Sequence, residues 1–171
     1  MKRILICLGA FAATPALAVD DCLVGRWTPD FPAMEQQFIQ TSQSQNVSIG
    51  GGMVMTIAAD QTGSYQANDL NFAVENAGIP KTTILMNGTG AFSVMADGGT
   101  FEFTMGAFNY AMVATIDMPS GPLTMDIPFT EEMAPMGGNT SGTYTCDAAA
   151  VEYTIMGEND QADLVNRWYR Q

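Results

Sequence analysis

The stretch ILMNGTGAFSVMADGGTFEFTMG, residues 84–106, decides the fold. Ile84, Met86, Phe92 and Val94 fall on every second position, and Gly88 and Gly90 keep the same parity. That period of two puts them on one face of an extended strand. Asp97-Gly98-Gly99 then supplies residues that tolerate a tight turn. Phe101, Phe103 and Met105 resume the alternation against Glu102 and Thr104. The stretch is read as a long antiparallel hairpin, apolar on one side, with Gly88 and Gly90 marking a bend or barrel corner.

The same grammar runs outward from this hairpin. Met53, Met55 and Ile57 alternate with Val54, Thr56 and Ala58 up to a turn at 60–63. Tyr65 and Ala67 hold one face. Leu70, Phe72 and Val74 continue with shifted parity, which predicts a bulge near Asn68-Asp69. Gly106 shifts the register again before Phe108, Tyr110 and Met112. Leu123, Met125, Ile127 and Phe129 predict a half-buried strand, placed near a sheet edge by Pro122 and Pro128. Further strands are expected at 23–27, around Tyr144 and Cys146, at 151–155 and at 164–169. Only 31–41 breaks the period. There Phe31, Met34 and Phe38 share a side behind Pro32 and Glu35, as in one short amphipathic helix or lid-like segment. The expectation is a single all-β domain, an antiparallel up-and-down β-barrel of about eight to ten strands, with a β-sandwich as the alternative.

Lys2, Arg3, the apolar run 4–13 and Ala16-Leu17-Ala18 have the order of a secretory signal peptide, residues 1–18. The run is shorter than the roughly 20 residues that span a bilayer. Removal would leave 19–171 as one domain in the periplasm or outside the cell, without membrane insertion. Cys7 departs with the signal. Cys22 and Cys146 remain, and in an oxidising compartment they are expected to form a disulfide.

The net charge of −12 repels phosphate backbones, so no nucleic-acid partner is expected. There is no His, which excludes Ser-His-Asp and Cys-His catalysis and His-ligated zinc. No Gly-rich phosphate loop precedes a helix. Glu131 and Glu132 are adjacent, so a strand would point them to opposite faces rather than pair them for glycoside hydrolysis. Glu158-Asn159-Asp160 with Asp163 lacks the spacing of a calcium loop and is read as a solvated turn. No enzyme activity, catalytic residue, cofactor or metal site is expected.

Gly25-Arg26-Trp27 follows Cys22 closely. With the phrase running from Ile57 to Tyr65 through Asp60 and Gly63, and with Gly142-Thr143-Tyr144-Thr145-Cys146, it resembles the lipocalins and the wider calycin-like small β-barrels of exported bacterial proteins. The family's acidic-Tyr motif at a strand junction has no counterpart here. The resemblance implies that Trp27 packs across one barrel end beneath an arginine of the last strand, Arg167 or Arg170.

Twelve of the 13 methionines lie beyond residue 18, and unbranched thioethers adapt to guests of varied shape. Met53, Met55, Met86, Phe92, Phe103 and Met105 share the faces of consecutive strands, so one barrel interior would collect them. The expected function is therefore non-catalytic binding of an apolar or amphipathic small molecule. A periplasmic protein-binding module, inhibitor or envelope accessory, is the alternative. Cuprous-ion handling through Met53-x-Met55 and Met133-x-x-Met136 is a lesser one.

Overall fold

The computed structural model describes residues 19–42, 44–130, 139–155 and 163–171. The expected signal segment lies outside them, as do Glu131, Glu132, Met133, Met136 and Glu158 to Asp160. In chain order the elements are β1 (Gly25–Pro29), α1 (Phe31–Ser42), β2 (Asn46–Ile57), β3 (Thr62–Asn76), β4 (Ile79–Asp97), β5 (Thr100–Met118), β6 (Gly121–Ile127), β7 (Thr140–Cys146), β8 (Ala150–Ile155) and β9 (Leu164–Arg170).

Every strand pairing is antiparallel, and β1, β2, β3, β4, β5, β7, β8 and β9 close on themselves through the pairing of β1 with β9. The fold is thus a closed eight-stranded barrel, and the sandwich alternative is excluded. β6 stands outside the ring. It pairs only with the second half of β5, from Met112 to Met118, whereas Thr100 to Phe103 of β5 pair with β7. Strands β2 to β5 therefore run past the barrel and, with β6 added, form a five-stranded flap.

The flap departs from the barrel along a crease. β3 carries one extra residue between Ala67 and Leu70, and β5 carries one between Met105 and Phe108. Asp69, at φ 48°, sits in the first bulge. Asn87 ties it down: its Oδ1 accepts the Asp69 N–H at 2.7 Å and its Nδ2 donates to Asp69 Oδ1 at 3.2 Å. Gly51 and Gly88 continue the line at φ +89° and +141°, and a Cβ on either would collide with the backbone of the neighbouring strand. Both bulges preserve facing, because each shifts parity where the pairing demands it. Consequently the barrel's inner face continues onto one side of the flap.

The barrel interior is filled by side chains. Trp27, Met53, Met55, Ile57, Tyr65, Phe92, Val94, Phe101, Phe103, Val151, Tyr153 and Trp168 form one buried cluster. Phe92, Phe101, Phe103 and Tyr153 meet largely edge to face at 5.1–5.4 Å, a favourable arrangement for aromatic quadrupoles. An eight-stranded ring is just wide enough to be filled this way.

One end of the barrel is plugged. The Arg170 guanidinium lies 4.3 Å from the centre of the Trp27 ring and donates to the carbonyls of Val24 (2.9 Å) and Cys22 (2.6 Å). The Trp27 indole donates to the Leu23 carbonyl at 2.8 Å. Cys22 and Cys146 form a disulfide at this end, and Tyr144 hydrogen-bonds Asp20 beside it. Such a bridge fits an oxidising compartment. Arg167 turns outward instead, over the Tyr169 ring at 5.4 Å.

Candidate ligand site at the barrel mouth

The opposite end is the mouth, where interior and flap meet. From the barrel outward the shared face carries Met53 and Ile49 on β2, Tyr65, Leu70 and Phe72 on β3, and Phe92, Gly90, Met86 and Ile84 on β4. On β5 it carries Phe103, Met105, Phe108, Tyr110 and Met112. The outer face of the flap is predominantly polar, with Ser48, Asn71, Thr83, Asn87, Thr115 and Thr124. An amphipathic sheet of this kind has one face meant for an apolar neighbour.

α1 covers part of that face. Asp30 caps it, accepting the Ala33 N–H at 3.2 Å through its side chain, while its other carboxylate oxygen accepts the Tyr169 hydroxyl at 2.9 Å. Phe38 of α1 meets Phe72 of the flap edge-on at 4.7 Å. Glu35 accepts the Ile49 N–H at 2.6 Å, which occupies a donor on the outer part of β2. The segment thus lies across one side of the mouth.

The six lining residues expected from the sequence separate by depth. Met53, Met55, Phe92 and Phe103 are buried in the filled barrel, and Met55 has no exposure at all. Met105 is half-buried at the crease, where its N–H donates to Asn139 Oδ1 at 2.7 Å. Met86 lies outside the barrel, on the flap, paired with Leu70 and Met112. A single barrel interior therefore does not collect all six. The half-buried strand expected at 123–129 is also corrected. β6 ends at Ile127, before Pro128, as the sheet edge, and every residue of it but half-buried Ile127 is exposed.

Sequence reading missed the unpartnered polar atoms of this face and of the barrel wall formed by β8 and β9. The hydroxyls of Tyr65, Tyr110 and Tyr153 and the indole N–H of Trp168 are buried and have no hydrogen-bond partner among the described residues. Gly90, the cross-strand neighbour of Tyr65, makes room for Tyr110: a Cβ there would lie 2.8 Å from the Tyr110 hydroxyl. Tyr65 and Trp168 have ring centres 6.2 Å apart. Burial holds the Tyr65 phenol well above its ordinary range, and the nearby Tyr153 and Tyr110 phenols add to this. Burial alone pushes Tyr110 up to about 12. The available signal was the presence of tyrosine, with its polar tip, at inward-facing positions of apolar strands.

Among the described residues no group of three or more His, Cys, Asp or Glu is placed to hold a metal ion. Compared with known protein families, curated proteins and solved structures, the chain matches none.

Proposed function

We propose that this chain is an exported, non-catalytic, lipocalin-like binding protein that takes up an amphipathic small molecule at the barrel mouth, against the inner face of the flap. The observation that carries the reading is the largely apolar face that continues from the filled barrel past Gly90 and Tyr110 onto Ile84, Met86 and Met112. The closed barrel with Arg170 over Trp27 supports the lipocalin-like part. The barrel itself contributes a packed floor, and the guest lies against the flap face next to α1. Titration with an environment-sensitive apolar dye tests this. Saturable binding is expected, weakened at least about tenfold by Met86→Glu or Met112→Glu, since a carboxylate on that face would have to be desolvated beneath the guest. Absence of saturable binding at high micromolar dye would sink the proposal.

A second reading, a protein-binding module, is favoured by β6. It is an edge strand with Leu123 and Met125 50% and 42% exposed, a template for strand addition by a partner.

A further inference from the structure

Five buried polar atoms lack a partner among the described residues; Arg170 Nε belongs to the plugged end, and the other four bear on the polar end of the guest. Taking the mouth as the binding site, we propose that it selects a neutral hydrogen-bond acceptor, a ketone, ester or amide carbonyl, on an apolar body. The carbonyl would be held by the hydroxyls of Tyr65, Tyr110 and Tyr153, with the Trp168 N–H nearby.

The argument begins with the cost of what is there. A buried donor without an acceptor loses its hydration and recovers nothing, and most buried polar groups avoid this state. Of four such atoms, three are on side chains of the barrel's buried cluster with 2% exposure or less, Tyr65, Tyr153 and Trp168, and the fourth, the Tyr110 hydroxyl, lies by Gly90, the cross-strand neighbour of Tyr65. All four carry a proton to give. The indole N–H can only donate and a phenol can donate too, so an acceptor is the one kind of group that all four can bond. The group that satisfies them is an acceptor.

Charge decides which kind. The cations at Arg26, Lys81, Arg167 and Arg170 all lie elsewhere. Arg170 serves Val24, Cys22 and Trp27 at the plugged end. Arg26 bonds Gln171, Arg167 stacks outward on Tyr169, and Lys81 is exposed on the flap. A carboxylate or phosphate at the mouth would be buried with no countercharge among the described residues, inside a chain of net charge −12. A neutral carbonyl takes the same hydrogen bonds without that desolvation. Its apolar body then follows Met105 and Met86 onto the flap.

The experiment is competition against the bound apolar dye by three probes of one chain length: a methyl ketone, the free acid and the plain hydrocarbon. The ketone should displace the dye best. Tyr65→Phe and Tyr110→Phe should each weaken the ketone about 3- to 10-fold, leave the hydrocarbon unchanged and move the bound carbonyl stretch back toward its free frequency. These variants delete only an unpaired hydroxyl, and circular dichroism reports whether they fold. Arg167→Ala, on the outer surface over Tyr169, serves as a control with unaltered competition. If the acid competes as well as the ketone, or ketone and hydrocarbon compete equally, the inference is overturned while the site stands. If the dye itself does not bind, the site falls and the inference with it.

Discussion

At the scale of single residues, the two arginines of β9 separate two consequences of the same side chain. Arg170 combines a cation–π contact with two hydrogen bonds to carbonyls of the N-terminal segment, so its loss removes a barrel plug and strands acceptors. Arg167 lies on an exposed surface over Tyr169, where such contacts contribute little. Arg170→Ala should lower stability by about 1–3 kcal/mol, and Arg167→Ala should stay within about 0.5 kcal/mol. Urea midpoints compared at equal slope check both, and similar losses in the two variants would refute the plug. Sequence reading narrowed the plug to these two residues. It did not choose between them, because both lie near Trp27 in the chain's end-to-end pairing. The choice follows from pairing: Arg170 lies directly opposite Trp27, and Arg167 falls on the outward parity of β9.

At the scale of elements, the crease converts a barrel into a barrel with a flap. Its glycines are placed by close approach. Gly88 lies at φ +141°, and a Cβ there would run into the Asn109 carbonyl of β5. That obstacle is backbone, which moves only if the sheet does. Gly88→Ala should therefore cost more than about 2 kcal/mol, whereas Gly98→Ala, in an open turn at φ +57°, should cost about 1 kcal/mol from strain alone. Thermal midpoints would check the order, and equal effects would count against a rigid crease. The bulges near Asn68-Asp69 and at Gly106 were legible in the sequence because a bulge leaves a parity shift in the apolar pattern. The position of Met86 beyond the barrel was not. Alternation reads identically inside a closed ring and on an open flap, since it reports which side of a sheet is covered and not what covers it. Closure is set by which strands pair over long range, here β1 with β9 and β5 with β7.

At the scale of the whole molecule, all five tyrosines are held above the ordinary phenol value, and this should govern behaviour in alkali. Burial is the main cause for Tyr65, Tyr110, Tyr144 and Tyr153, with the Asp20 carboxylate adding to Tyr144. Tyr110 and Tyr144 are pushed up to about 12. Exposed Tyr169 is raised first by its hydrogen bond to Asp30. In the unfolded chain these phenols ionise near 10. Between that value and the folded values the native state keeps protons that the unfolded state releases, so stability falls as pH rises. Below about pH 9 the term is constant. Each of the two deeply buried phenols, Tyr65 and Tyr153, steepens the decline by up to about 1.4 kcal/mol per pH unit; Tyr110 and Tyr144 add less, and growing negative charge works in the same direction. The ultraviolet absorbance of ionised phenol should therefore stay low between about pH 10 and 11. It should then rise together with the loss of β-sheet circular dichroism. A midpoint near 10 with the sheet intact would mean that water reaches the tyrosines freely. The mouth would then be open to solvent, and the hydroxyls of Tyr65, Tyr110 and Tyr153 would not be waiting for a carbonyl.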